Sequence, residues 1–525
     1  MFGRVLFILF LTTAQCTLPK DQEYWKKLAR EEFEGSLSLQ INNNIAKNVI
    51  LFVGDGMGIN TVTATRIYKG GASHRLAFEK FPFTGLLKTY SANKMVPDSA
   101  SSGTALFSGV KVNQETVGVD ATVERGDCAA SLKPAARLDS LAAQFLKAGR
   151  RAGLVTTTRV THATPSGLYA HSAYRKWECE ATMPQDAAEC KDIARQLVED
   201  WPGRDLHVIL GGGRQVFETN STNTKEDPYD TWSCRRRDNR NLTEVYIQDK
   251  EKRNLKYSYV KNTGELKEID HQNTDYLLGI FANGHLKYED ERNRGDEGMP
   301  SLTDMVEAAI KVLSSDQNGY YLMVEGGNID MAHHRGWAKR ALNEAAEMEN
   351  AVQLALRVTD PKNTLIIVTS DHGHTLSING YPLRDSDITG IAQKSPYDGK
   401  NYTTLSYGTG GPDALHYHVV SDENGTKIAR DEPSILVATR FDYKQPAGII
   451  LDENSHGGGD VAIYATGPHA HLFTGVHEQH YVYHAVCCAA HVGDTAGVCS
   501  GAHAYTNTLI LYTIILAFIV VQMFL

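Results

Sequence analysis

The sequence predicts an α/β protein: one large, mainly parallel sheet with helices covering both faces. Three observations carry this. Six strand-like runs alternate with helical patterns along the chain, which is the order that βαβ units produce. At least one intervening segment has clear helical periodicity and its own start signal. The 525 residues, 42% hydrophobic and 22% charged, suit a globular protein with a large core.

The strands are NVILFV (48–53), GLVTTT (153–158), LHVIL (206–210), YYLMV (320–324), TLIIVTS (364–370) and VAIYA (461–465). The first runs apolar into VGDG, as a strand buried on both faces does before a tight turn. Between strands, SLTDMVEAAIKVL reads as a helix. Ser301 and Asp304 form its capping box, and Leu302, Val306, Ile310 and Leu313 share one face. Residues from about 218 to 300 are polar and irregular, and those from about 378 to 448 are rich in Gly, Tyr, Asp and Pro. Both stretches read as surface insertions. The glycine run at 211–213 lacks a GxGxxG pattern and reads as a turn after a strand. No internal repeat is visible.

Both ends read as processing signals. Arg4, the apolar VLFILFL, Ala14 and Cys16 mark residues 1–16 as a secretory signal peptide. At the other end, residues 508–525 are apolar with no basic residue after them. Small residues (Ser500, Gly501, Ala502) and a polar spacer (His503 to Asn507) precede the tail. This pattern predicts that 501–525 is a propeptide removed on GPI attachment, with Ser500 favoured as the attachment residue. A secreted route permits disulfides. Of eight cysteines, Cys16 lies in the signal, and the seven that remain leave one thiol over. Asn220, Asn241, Asn401 and Asn424 begin glycosylation sequons in stretches expected to be exposed loops. A net charge of -9 with no long basic block argues against a nucleic-acid partner.

The chemistry gathers at strand ends. Asp55 follows the first strand. Glu325, Asp330 and His334 follow the fourth, in EGGNIDMAHH. Asp371 and His372 follow the fifth, and His456 stands before the last. Four carboxylates packed together repel unless cations hold them. Asp330 and His334, four apart, share a face on a helix, and mixed carboxylate and imidazole ligands suit zinc whereas oxygen-rich sets suit magnesium. Singly each motif is weak, because a lone DxxxH is more often a solvated helix face; the joint placement gives it weight. A nucleophile stands in VPDSASSGTAL, where Ser99 opens a helix whose N–H groups point toward an anion. No histidine adjoins it, so metal coordination is the expected activator; the plain alternative is an N-cap serine. Arg159, Arg175 and Arg335 are each placed to fork onto a phosphate, and spacing does not choose among them.

VGDGMG, VPDSASSGTA, VTTTRVTHATPSGLYAHSAYRKW, VEGGNIDMAHH, VTSDHGH and NSHGGGDVAIYATGP, in this order, resemble the membrane-anchored animal alkaline phosphatases from about residue 20 to 500. The resemblance implies a three-layer α/β/α sandwich (17–500) with a small crown insertion (378–448). It also implies a homodimer, to which an N-terminal helix in DQEYWKKLAREEF contributes. It implies hydrolysis of small phosphate monoesters through a phosphoserine at Ser99, with Arg175 holding the phosphate. Two zinc ions per subunit are implied, one on Asp330, His334 and His456 and the other on Asp55, Asp371 and His372. One magnesium is implied on Asp55, His162, Thr164 and Glu325, so that Asp55 bridges two cations. Cys128–Cys190 is the implied disulfide; Cys179–Cys234 is conjecture, and Cys487 and Cys488 compete for Cys499. Phe281-Ala282 departs from the family's Phe-Glu pair and removes a carboxylate from its calcium site. A diesterase or sulfatase on the same scaffold, and a surface protein without catalysis, are the rival readings.

Overall fold

A computed structural model describes residues 21–499 apart from 423 and 424. The expected signal peptide, the tail with Ser500, and the sequon at Asn424 lie outside the described residues. Contacts divide the chain at residue 41, and the N-terminal unit holds one helix, α1 (Gln22–Leu37), capped by Asp21.

The larger unit is built on a ten-stranded sheet. Eight of its strands are β1 (Asn48–Val53), β2 (Phe83–Lys88), β3 (Arg151–Arg159), β4 (Val208–Gly212), β5 (Tyr257–Val260), β6 (Tyr276–Ile280), β7 (Tyr320–Glu325) and β8 (Thr364–Thr369). With Val461–Thr466 and Gly475–Glu478 they run in the order Gly475–Glu478, β2, Val461–Thr466, β8, β1, β7, β3, β4, β6, β5. Only Val461–Thr466 runs opposite to its neighbours. The mainly parallel α/β fold expected from the strand and helix alternation is therefore the observed one.

The sheet separates two cores. Val49, Leu51 and Val53 of β1 face one cluster, with Phe107, Leu141, Phe145, Ile193 and Val486 from helices on that side. Ile50 and Phe52 face the other, with Leu302, Val306, Ile310, Ala345 and Met348. A strand that buries both faces must be apolar at every position, which is why NVILFV shows no alternation. Each such side chain contributes roughly 1.5–3 kcal/mol on burial. The helix Leu302–Leu313 forms as expected. Asp304 N donates to Ser301 Oγ at 3.0 Å and Ser301 N to Asp304 Oδ2 at 2.9 Å.

The structure corrects two expectations. Residues 218–300 are not simply an insertion, because β5 and β6 complete one edge of the sheet and Leu277, Leu278 and Ile280 are fully buried. Their strands are short and set among polar turns, so the surroundings hid them. Asn241 and Asn401 are half-buried, the first capping the helix Leu242–Lys252 and the second opening the strand Asn401–Thr403, rather than lying in exposed loops. Ser99 opens its helix as expected, and because Asp98 is the N-cap the plain alternative of an N-cap serine falls away. Disulfides join Cys128 to Cys190, Cys179 to Cys234 and Cys488 to Cys499, leaving Cys487 buried and free. Between 376 and 450 lie two hairpins and a three-stranded sheet (Leu376–Ile378, Leu405–Gly410, Ala447–Ile450), whose Leu376, Leu405, Tyr407 and Ala447 pack with Ala64, Ala338 and Leu342 in a small core.

Candidate metal centre and nucleophile

Register brings the site together. Val53 of β1 is level with Glu325 of β7 and with Thr369 of β8, and Thr156 of β3 is level with Glu325. Parallel strands that end in step place their following residues in one crevice, where open α/β sheets bind ligands. Asp55, Glu325 and Asp371 meet there. His456 arrives from the other direction because Val461–Thr466 is antiparallel and begins where β8 ends.

Asp55 lies fully buried at the centre. Ser99 Oγ is 3.4 Å from its Oδ1 and Thr164 Oγ1 is 3.3 Å from its Oδ2. The next residue, Gly56, has φ +67, and a Cβ there would come within 2.7 Å of the His374 ring and 2.9 Å of Asp330 Oδ1. Only glycine meets both demands. One ligand atom from each of Asp55, Asp371 and His372 falls within 4.8 Å of the others, and the same holds for Asp55, His162 and Glu325. Asp371 is held by N–H donors from Gly56 at 3.1 Å and His372 at 2.8 Å.

A second group surrounds Asp330, on the short helix Asn328–His334. His334 Nε2 lies 3.2 Å from Asp330 Oδ2, and His374 Nε2 lies 2.5 Å from Oδ1. His334 Nδ1 faces Asn454 O at 2.7 Å and His456 Nδ1 faces Pro97 O at 2.8 Å, so each Nδ1 carries the proton. The two Nε2 atoms lie 3.1 Å apart beside Asp330, and a cation bound there would take the place of the proton that the carboxylate otherwise holds on His334. His374 was absent from the residues singled out by sequence, although it stands in the quoted VTSDHGH. Both of its nitrogens are engaged, Nδ1 with Asn454 Oδ1 at 2.5 Å, and a ring nitrogen also falls within 4.8 Å of ligand atoms of Asp330, His372 and His456.

Titration tells the same story. Burial, reinforced by Asp330, Asp371 and Glu325, pushes Asp55 well above the usual carboxylate range. Burial likewise lifts Glu325 to about 7 against the hydroxyl donors Thr156 and Thr158. Burial would lower His334, but the Asp330 carboxylate overrides it and raises the imidazole to about 9. Glu325 Oε1 and His162 Nδ1 are buried with no hydrogen-bond partner. The orphaned Glu325 oxygen and the crowded buried acids fit bound cations.

Ser99 is the first residue of α3 (Ser99–Ser108) and is almost fully buried, its Oγ 3.1 Å from His372 Nε2. Ser102 Oγ donates to Asp371 Oδ2 at 3.2 Å. Asp98 accepts from Ser101 N at 3.2 Å, Glu115 N at 2.9 Å and Arg175 Nη1 at 3.1 Å. Burial pushes the Asp98 carboxyl up, yet Arg175 and these N–H donors prevail and hold it below its ordinary value. Arg175 lines a cavity of about 540 Å³ with Ser99, His162, Asp330, His334 and His456. The other two arginines are committed elsewhere. Arg159 is buried in a two-bond fork on Glu178 (2.9 and 2.8 Å) and also bonds Asp230 at 2.5 Å. Arg335 lies over the Trp232 ring at 4.7 Å and donates to Met331 O at 3.1 Å. At the doubted calcium position Ala282 is buried, and its carbonyl accepts from Gly213 N and Arg214 N at 2.9 and 2.8 Å.

Acids and imidazoles converging on a helix-opening serine, at the carboxyl end of a large α/β sheet, define a metal-dependent hydrolase. Residues 46–492 match the family model described as alkaline phosphatase. The tissue-nonspecific alkaline phosphatase of Gallus gallus is 42% identical over 97% of this chain and 98% of its own length. A membrane-bound alkaline phosphatase of Bombyx mori is 38% identical over 95% and 90%. The alkaline phosphatase of Thermus thermophilus shares the fold, with TM-score 0.59 at 23% identity over 88% of this chain and 94% of that one. The chain belongs to the alkaline phosphatase family, and it is a metal-dependent hydrolase of phosphate monoesters.

Proposed function

We propose that hydrolysis runs through a phosphoserine on Ser99. The observation that carries this is the Ser99 hydroxyl set between His372 Nε2 (3.1 Å) and Asp55 Oδ1 (3.4 Å), at a helix N-terminus that borders the cavity lined by Arg175. Asp330, His334 and His456 would hold one zinc ion, Asp55, Asp371 and His372 the second, and Asp55, His162, Thr164 and Glu325 a magnesium ion. Bound there, the cations would make a hydroxyl more acidic and offset the charge of the phosphate oxygens. Arg175 forks onto two of those oxygens, and its bond to Asp98 fixes the direction of the fork. Ser99 Oγ then bonds phosphorus as the ester oxygen leaves on the opposite side, and water displaces Ser99 in a second in-line step.

We further read the chain as a homodimer held on the outer face of the plasma membrane by a GPI lipid, with residues 378–448 as its crown. The small-residue, spacer and apolar-tail pattern of 500–525 supports the anchor, and so does a membrane-bound relative.

Two in-line displacements give net retention at phosphorus. A monoester with a chiral phosphate should therefore return product of retained configuration, and an added amino alcohol should capture part of the phosphoryl group. Net inversion would reject Ser99 as the nucleophile.

A further inference from the structure

The mouth of the cavity holds a group that the proposed chemistry does not use. Trp232 lines the same cavity as Ser99 and Arg175, yet it is 55% exposed. The Arg335 guanidinium lies over the indole, 4.7 Å from its centroid, and is itself steadied by Tyr288 Oη at 3.3 Å and Met331 O. A ring braced by a cation on one side presents a rigid platform on the other.

The segment that carries Trp232 is anchored rather than loose. Its backbone N–H donates to Asp230 Oδ1 at 2.9 Å, and the other oxygen of Asp230 accepts from buried Arg159. Arg159 also forks onto Glu178, three residues beyond Arg175. The Cys179–Cys234 disulfide joins the same two segments. Ion pairs and a covalent link thus hold the indole in fixed relation to the arginine proposed to grip phosphate. A platform held in register with the phosphate site meets the part of the substrate that leaves.

We propose that Trp232 is a specificity-determining residue whose indole stacks on the leaving group, so that the site favours phosphate monoesters of alcohols bearing a planar ring, nucleosides among them. This inference rests on the reading of Ser99 and Arg175 as the phosphate site. Adenosine 5′-monophosphate and ribose 5-phosphate test it cleanly, because both release a primary alcohol and differ by the ring. On the holoenzyme, kcat/KM should favour the nucleotide, and Trp232→Leu should lower that value about five- to tenfold while changing the ribose phosphate less than twofold. Trp232→Phe should restore most of the loss. Adenosine alone should inhibit ribose 5-phosphate hydrolysis in the parent and much less in Trp232→Leu. Equal loss for both substrates would show a merely structural role and overturn the proposal, as would an unchanged preference. Failure of the parent to hydrolyse either monoester would instead overturn the reading of the phosphate site.

Discussion

At the scale of single residues, Asp98 and Arg175 show how one ion pair serves both stability and binding. Asp98 has its pKa held down in the native state by Arg175 and backbone N–H groups, against the upward push of burial. A depressed carboxylate stabilises the fold above its ordinary unfolded value and loses that contribution as pH falls through the native value. Asp98→Asn should therefore cost on the order of 1–3 kcal/mol at neutral and alkaline pH, because it leaves a partly buried guanidinium without its counter-charge. The stability gap to the parent should begin to narrow below about pH 4, the ordinary unfolded value, and close only as pH falls through the lower native value at which the parent's carboxyl becomes neutral. Denaturant unfolding across pH measures this, and a gap that widens in acid would reverse the sign. Arg175→Ala should keep its metals yet weaken competitive inhibition by inorganic phosphate on the order of a hundredfold. Unchanged inhibition would mean that another group holds phosphate.

At the scale of elements, legibility followed burial. β1, β7 and β8 sit at the centre of the sheet, packed on both sides, and their unbroken apolar runs announced them. β5 is an edge strand with Tyr257 and Tyr259 only half-buried, so YSYV had no comparable signal. β2 reads FTGLLK, half exposed and broken by a glycine that approaches Phe473 O and Gly475 O too closely for any Cβ (2.4 and 2.5 Å). Among site residues, those directly after strong strands were readable from strand ends. His162 and Thr164 needed the family resemblance, because nothing local marks a ligand there. His374 was missed because its contact with Asp330 exists only once residues 44 apart in sequence meet.

The meeting of α3 with the short helix Ala163–Ser166 shows a comparable long-range demand. A Cβ on Gly103 would stand 3.3 Å from Thr164 Cα, so the glycine lets the helix bearing Ser99 approach the turn bearing Thr164. Gly103→Leu should push the two apart, costing about 1–3 kcal/mol by overpacking. It should also lower magnesium retention on dialysis, because Thr164 then moves away from Asp55. Full retention with reduced stability would separate packing at this contact from the candidate magnesium set.

On the scale of the whole molecule, the N-terminal unit poses the question of what stabilises it. α1 has sixteen residues, and none of them is buried. Isolated helices of this length are marginal in water, and packing of an apolar stripe normally supplies the remainder. Such a stripe exists. Trp25, Leu28, Phe33 and Leu37 fall within one half of the helix circumference, with Trp25, Phe33 and Leu37 exposed at 46%, 62% and 71%. The other half carries Glu23, Lys27, Arg30, Glu31 and Glu34, including the i, i+4 pair Lys27–Glu31. In the proposed homodimer the apolar side of α1 would be covered. Replacing Trp25 and Phe33 together by Ser should then weaken self-association, since burying a large aromatic side chain contributes about 1.5–3 kcal/mol. Two such losses correspond to a dissociation constant raised at least a hundredfold. Sedimentation of the parent and the double variant over a range of concentrations measures it, and circular dichroism of the dissociated variant should show reduced helix. A variant that stays dimeric at nanomolar concentration would show that the helix covers nothing essential to assembly, and a parent that sediments as a monomer would reject the dimer itself.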